Sequence, residues 1–314
     1  MLDRYQIESC QRRFDEGYGH FIRKTPVWKL AGPALGVACA EVWLKLEHLQ
    51  TGGSFKARGM LNRLLANPIP ASGVIVASGG NAGIATAAAA RVLGVYCEVF
   101  VPEVSSPAKR ARLLALGAQV VVGGATYADA LQACLARQQQ TGALLTHAYD
   151  QPEVVVGAGT LALEIEQQAG VPDSVLVSVG GGGLVAGIAS WFERRSRVVA
   201  LEPALAPTLF RARQAGQPVE VAVSGIAADA LGAQRIGEIA WAATQAHVDH
   251  ALLLDDAAIR AAQLWLWHEL KLAVEPAAAL PLAALHSGAY VPRADEKVCL
   301  IICGANVDPA SLNS

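Results

Sequence analysis

From residue 72 onward, short β-branched runs alternate with alanine-rich runs of helical length, and this alternation constrains the fold more than any other feature of the chain. Val74-Ile75-Val76-Ala77 predicts a strand, and 82–93 a helix closed by Gly94. Further on, 96–101 predicts a strand, 107–116 a helix closed by Gly117, 119–122 a strand, 127–140 a helix and 143–146 another strand. Such a series joins parallel strands and lays helices on both faces of a sheet. The pattern resumes at 174–179, followed by glycines and a helix, with buried-type strands at 198–201 and 298–302. Two blocks of this kind predict an α/β protein of two domains, each with a mostly parallel twisted sheet flanked by helices. A chain of 314 residues is long enough for both.

Composition removes several classes of function. Twenty-five basic residues against twenty-seven acidic ones give a formal charge of -2, with no basic stripe, so nucleic acid is not an expected partner. The first residues, Met-Leu-Asp-Arg-Tyr-Gln, lack the apolar core of a signal peptide. Charges or glycines interrupt every apolar run before it reaches membrane-spanning length. Six scattered cysteines (Cys10, Cys39, Cys97, Cys134, Cys299, Cys303) form no CxxC pair, so zinc is not expected. A reduced, cytoplasmic protein is the expectation.

Four motifs carry chemistry. In Gly52-Gly53-Ser54-Phe55-Lys56-Ala57, one lysine lies between a glycine turn and a run that predicts a helix from about Ala57, with Ser54 as its cap. The electropositive helix start favours a neutral amine, which is the form that attacks an aldehyde. Alone, such a lysine is more often a solvated surface residue. The second motif, Gly180-Gly181-Gly182-Gly183-Leu184, joins a strand to a helix. Its amides suit a phosphate, although a tight turn without ligand has the same pattern. It is neither GxxxxGK[ST] nor a clean GxGxxG. The third, Ser78-Gly79-Gly80-Asn81-Ala82-Gly83, again joins strand to helix and fits a carboxylate or an ordinary cap at Asn81. The fourth, Leu300-Ile-Ile-Cys303-Gly-Ala-Asn306, ends a buried strand, where α/β ligand sites form; a buried core cysteine is the plainer reading. Glu202 and Glu275 follow apolar runs, and strand-end carboxylates of this kind are often only caps or surface charges.

These pieces, in this order, resemble the fold-type II pyridoxal-phosphate enzymes, in the serine/threonine dehydratase branch. The resemblance runs from about Lys24 to Asn306, and Ser-x-Gly-Asn-Ala-Gly is most similar to the liver-type serine dehydratases. It implies a large cofactor-binding domain of 1–52 and 146–314, and a smaller domain of 53–145 carrying the substrate-carboxylate loop. It implies that Lys56 forms the Schiff base with pyridoxal phosphate and acts as the catalytic residue. Gly180, Gly181, Gly182, Gly183 and Leu184 would bind the phosphate, Asn81 the ring hydroxyl, Phe55 the ring face, and Cys303 the pyridine nitrogen. Ser54, Ser78, Gly79, Asn81 and Ala82 would hold the substrate. A cation site would comprise Gly180, Glu202, Ala206, Leu231 and Ala233; with one carboxylate and mostly carbonyl donors, potassium is favoured over magnesium. A homodimer follows by analogy with relatives.

Three departures from the family pattern stand out. Gly79 replaces a serine that racemases use as a second acid/base, which disfavours racemisation and leaves room beside the substrate. Gly52-Gly53 replaces Thr-Gly or Ser-Gly, and Gly304-Ala-Asn306 replaces Gly-Gly-Asn or Gly-Gly-Ser. The expected reaction is loss of water from L-serine or L-threonine, giving a 2-oxo acid and ammonia. Rival readings are a serine racemase, an enzyme of β-replacement, a dehydratase of a bulkier substrate such as hydroxyaspartate or phenylserine, a non-catalytic amino-acid or cofactor binder, and an unrelated nucleotide-binding protein. No regulatory domain is expected after Asn306, which leans towards catabolism.

Overall fold

A computed structural model describes residues 2–313. Its strands are β1 (Val27–Ala31), β2 (Glu41–Lys45), β3 (Val74–Ala77), β4 (Cys97–Val101), β5 (Gln119–Val122), β6 (Leu144–Leu145), β7 (Ser174–Ser178), β8 (Arg197–Pro203), β9 (Val248–Leu254) and β10 (Lys297–Ile301). They form a six-stranded sheet of order β1-β2-β10-β7-β8-β9 and a four-stranded sheet of order β5-β4-β3-β6. Every neighbouring pair is parallel except β1 with β2. The protein is therefore α/β, with mostly parallel sheets flanked by helices.

The central strands read as continuous apolar runs because helices cover both faces of the sheet. β7 is buried at every position, as is β4 in the smaller sheet. Edge strands look different. β1 has no buried residue, and its antiparallel pairing needs no crossover helix. β1, β2 and β9 escape the sequence reading because each is short or carries charged residues that blur the pattern. The strands and helices read from the sequence are present, with ends moved by at most two residues.

A buried ionic cluster ties the start of helix Lys56–Leu65 to the larger sheet. Arg58 grips Glu47 with Nε at 2.8 Å and Nη2 at 2.7 Å, and its Nη2 also reaches Glu164 at 2.9 Å. Lys45 at the end of β2 pairs with the other Glu164 oxygen and donates to the Thr25 carbonyl at 2.7 Å. All four ionic side chains are essentially out of solvent. Burial disfavours the charge on Glu47, but the Arg58 guanidinium wins and holds its carboxyl below the ordinary range. Two cations balance two anions, so the cluster survives burial and fixes the turn that carries Lys56.

Candidate active site

Ser54 does not cap the helix as the sequence suggests. Its backbone is extended, with φ -163° and ψ 160°, and it bridges to Gly304 in antiparallel fashion. The helix begins at Lys56 itself, behind Phe55. The reason is tertiary: residues 53–55 pair with 303–305. Phe55 N–H donates to the Cys303 carbonyl at 3.1 Å, and Ala305 N–H to the Gly53 carbonyl at 2.8 Å. This short ladder lays Lys56 beside Cys303, two residues beyond β10.

The Lys56 amine donates to the Ala148 carbonyl and lies 5.1 Å from the centre of the Phe55 ring. Burial lowers its pKa to about 8, against the opposing pull of Cys303 and Glu275. Desolvation is thus the cause that lowers it, an effect the sequence reading did not invoke. An amine in this state is neutral in a substantial fraction near physiological pH and is a competent nucleophile. Burial, followed by the nearby Glu275, pushes the Cys303 thiol well above its usual range, so the sulfur keeps its proton.

Asn81 is likewise not a helix cap. Helix Asn81–Leu93 begins at Asn81 with Gly80 before it. The Asn81 amide instead donates to both oxygens of Glu275, at 2.9 and 3.0 Å, and its carbonyl accepts from Asn306. Glu275 is the site residue that sequence reasoning passed over. Its carboxylate is buried against Gly304, where a Cβ would fall 2.2 Å from Oε1. Burial raises its pKa to about 7, opposed by the Asn81 hydrogen bond. The available signal was a glutamate directly before a proline and an alanine-rich helix, and many ordinary helix starts share it.

The glycine run lies between β7 and helix Gly183–Phe192. Gly182 sits at φ +90°, a conformation that side chains resist. The backbone of Gly181 meets the Tyr149 ring, which a Cβ would strike at 2.3 Å. None of the amides of residues 180–184 finds a hydrogen-bond partner among the described residues. Converging unpaired amides at a helix start are an anion cradle. They fit a phosphate, and Lys56 fits its aldehyde.

At the loop 78–82, the Ser78 hydroxyl accepts from the Gly80 amide at 3.4 Å, and the amides of Gly79, Asn81 and Ala82 have no partner among the described residues. The room expected beside Gly79 is partly filled. A Cβ there would lie 3.1 Å from Ser105 Oγ and 3.3 Å from Val101 Cγ1. The residues read as a cation site gather around the start of helix Thr208–Ala215. Leu231 packs on Gly180, the Thr208 hydroxyl donates to the Ala233 carbonyl at 2.9 Å, and the Thr208 amide donates to the Ala206 carbonyl at 3.1 Å. Glu202 accepts from the Leu209 and Phe210 amides at 2.7 and 2.8 Å, and burial raises its pKa to about 7.

A family model described as pyridoxal-phosphate dependent enzyme matches residues 19–304. The chain belongs to this family. It is 35% identical over 277 residues to an L-threonine ammonia-lyase of Geobacter sulfurreducens, covering 87% of this chain and 69% of that protein. It is 34% identical over 300 residues to a phenylserine dehydratase of Ralstonia pickettii, covering 93% and 90%. Among solved structures, maize serine racemase superposes with a TM-score of 0.91 at 28% identity, covering 99% of this chain and 95% of that one. A T.th. threonine deaminase does so with 0.89 at 34% identity, covering 98% and 99%. A pyridoxal-phosphate enzyme needs an amine for the aldehyde and a cradle for the phosphate, and the site above contains both.

Proposed function

We propose that this pyridoxal-phosphate enzyme removes water from a small β-hydroxy amino acid, L-serine or L-threonine, yielding a 2-oxo acid and ammonia. The observation that carries the reading is the desolvated Lys56 amine beside a protonated Cys303, in a chain whose 180–184 amides have no hydrogen-bond partner among the described residues. In this reading Lys56 holds the cofactor carbon, residues 180–184 its phosphate, Asn81 its ring oxygen, Phe55 its ring face and Cys303 its ring nitrogen. Pyridoxal phosphate, when bound, supplies the electron sink for breaking the bond at Cα.

The remaining work belongs to the protein. The Lys56 amine takes the α-proton onto Nζ as general base. A neutral thiol at Cys303 leaves the ring nitrogen without a full positive charge, which favours prompt loss of a β-leaving group over a long-lived carbanion. The unpaired amides of Gly79, Asn81 and Ala82, with Ser78 and Ser54, orient the substrate carboxylate. Lys56→Ala should abolish ammonia release from L-serine and L-threonine together with the Schiff-base absorption band; retained turnover would refute the assignment.

A smaller domain of 53–145 and a larger one of 1–52 and 146–314 are supported by the way the strands of the four- and six-stranded sheets divide between these ranges. A potassium ion at Gly180, Glu202, Ala206, Leu231 and Ala233 would relieve the buried charge on Glu202. Stabilisation by potassium chloride beyond that by sodium or magnesium chloride tests it. A reduced cytoplasmic location agrees with six buried free cysteines, and a homodimer with the family. No helix among the described residues is long and apolar enough to cross a membrane.

A further inference from the structure

Ser105 follows β4, the parallel neighbour of β3, so it rises from the same sheet edge as the loop 78–82. Ligands of parallel sheets collect at that carboxyl edge. The Ser105 oxygen is closed off from solvent yet has no hydrogen-bond partner among the described residues. Buried hydroxyls are nearly always paired, so an orphan one calls for a missing partner. It faces the side of Gly79, whose absent Cβ would stand 3.1 Å away. One turn further along the chain, Lys109 forms an ion pair with Asp229. Asp229 also offers its carbonyl 3.7 Å from the Cβ position of Gly80. The ion pair brings residue 229 of one loop near residues 105–109 of another.

We infer that Ser105 is a substrate-binding residue whose hydroxyl, on turning about χ1 towards Gly79, donates to the substrate carboxylate across the gap that this glycine leaves. The inference rests on the proposed function, which supplies the substrate. The chemistry is specific. The loop amides of Gly79, Asn81 and Ala82 already suit an anion, and a carboxylate accepts more hydrogen bonds than one oxygen can use. A neutral group in the same place would leave those amides poorly matched. Glycine at 79 is what lets a hydroxyl from the neighbouring loop reach in.

The test uses the pyridoxal-phosphate-loaded protein with Ser105→Ala, Gly79→Ser and both changes together. Losing one hydrogen bond to a charged group should raise KM for L-serine or L-threonine about tenfold in S105A. The kcat should stay within about threefold and the visible absorption band should be unchanged. The double variant restores a hydroxyl from the other side and removes the 3.1 Å crowding, so its KM should return towards the wild-type value. L-lactate carries the carboxylate without the amine; it should raise the melting temperature of wild type more than that of S105A. An S105A enzyme with unchanged KM and an undiminished lactate shift overturns the inference alone. A fall in kcat at constant KM overturns it too, because the hydroxyl would then act on the chemistry. A wild-type protein that takes up no cofactor overturns the functional reading and this inference with it.

Discussion

Glu275→Gln offers a quantitative check on the buried carboxylate of the site. In the folded protein its pKa rises from 4.5 to about 7, chiefly by burial. At about 1.36 kcal/mol for each pH unit, the ionised form then opposes folding by about 3 kcal/mol. The sign follows from proton binding. Between pH 4.5 and about 7 the folded state holds the proton that the unfolded state has released, so stability falls as pH rises through this window. Glu202, raised to about 7 by the same cause, adds a similar fall. Wild-type protein without cofactor should therefore lose stability from about pH 5 to about pH 8, and Glu275→Gln should remove about half of that loss. At about pH 8 the variant should melt about 6 °C above wild type, at about 2 °C for each kcal/mol in a chain of this size. At about pH 5, where the native carboxyl is already protonated, the two should nearly coincide. Calorimetry across this range measures it. Parallel pH curves for the two proteins would show that Glu275 is ionised at little cost, and the account of its burial would fail.

Three further outcomes follow from the geometry. Uptake of pyridoxal phosphate by cofactor-free protein should quicken as pH rises through about 8, because the Lys56 amine must be neutral to attack; stopped-flow absorbance gives the midpoint, and one near the ordinary lysine value of 10.5 would contradict its desolvation. Glu164→Ala leaves Lys45 and Arg58 short of a buried counter-charge and should cost about 3–5 kcal/mol of stability by denaturant unfolding. Gly182→Ala puts a Cβ 2.4 Å from the Ala240 methyl at φ +90°, so cofactor affinity by titration should fall at least about tenfold.

Much of this protein is written locally. Strand and helix alternation in 74–145 and again from 174 depends on side-chain period, which a stretch of sequence carries by itself. The amine of Lys56 and the run Gly180–Gly183 are legible for the same reason, since a short motif contains the whole device. The capping roles expected of Ser54 and Asn81 failed because partners distant in sequence displaced the local ones. Ser54 joins a bridge to Gly304, and Asn81 turns to Glu275, 194 residues away.

Sequence thus determined the parallel α/β architecture, the lysine proposed as nucleophile and the glycine turn, all of which rest on neighbours along the chain. Tertiary structure alone decided that Glu275 joins the site, that burial lowers the pKa of Lys56, and that Ser105 faces Gly79. Burial and contact across separate elements are properties of the packed molecule, and the desolvation they impose sets the chemistry of these groups.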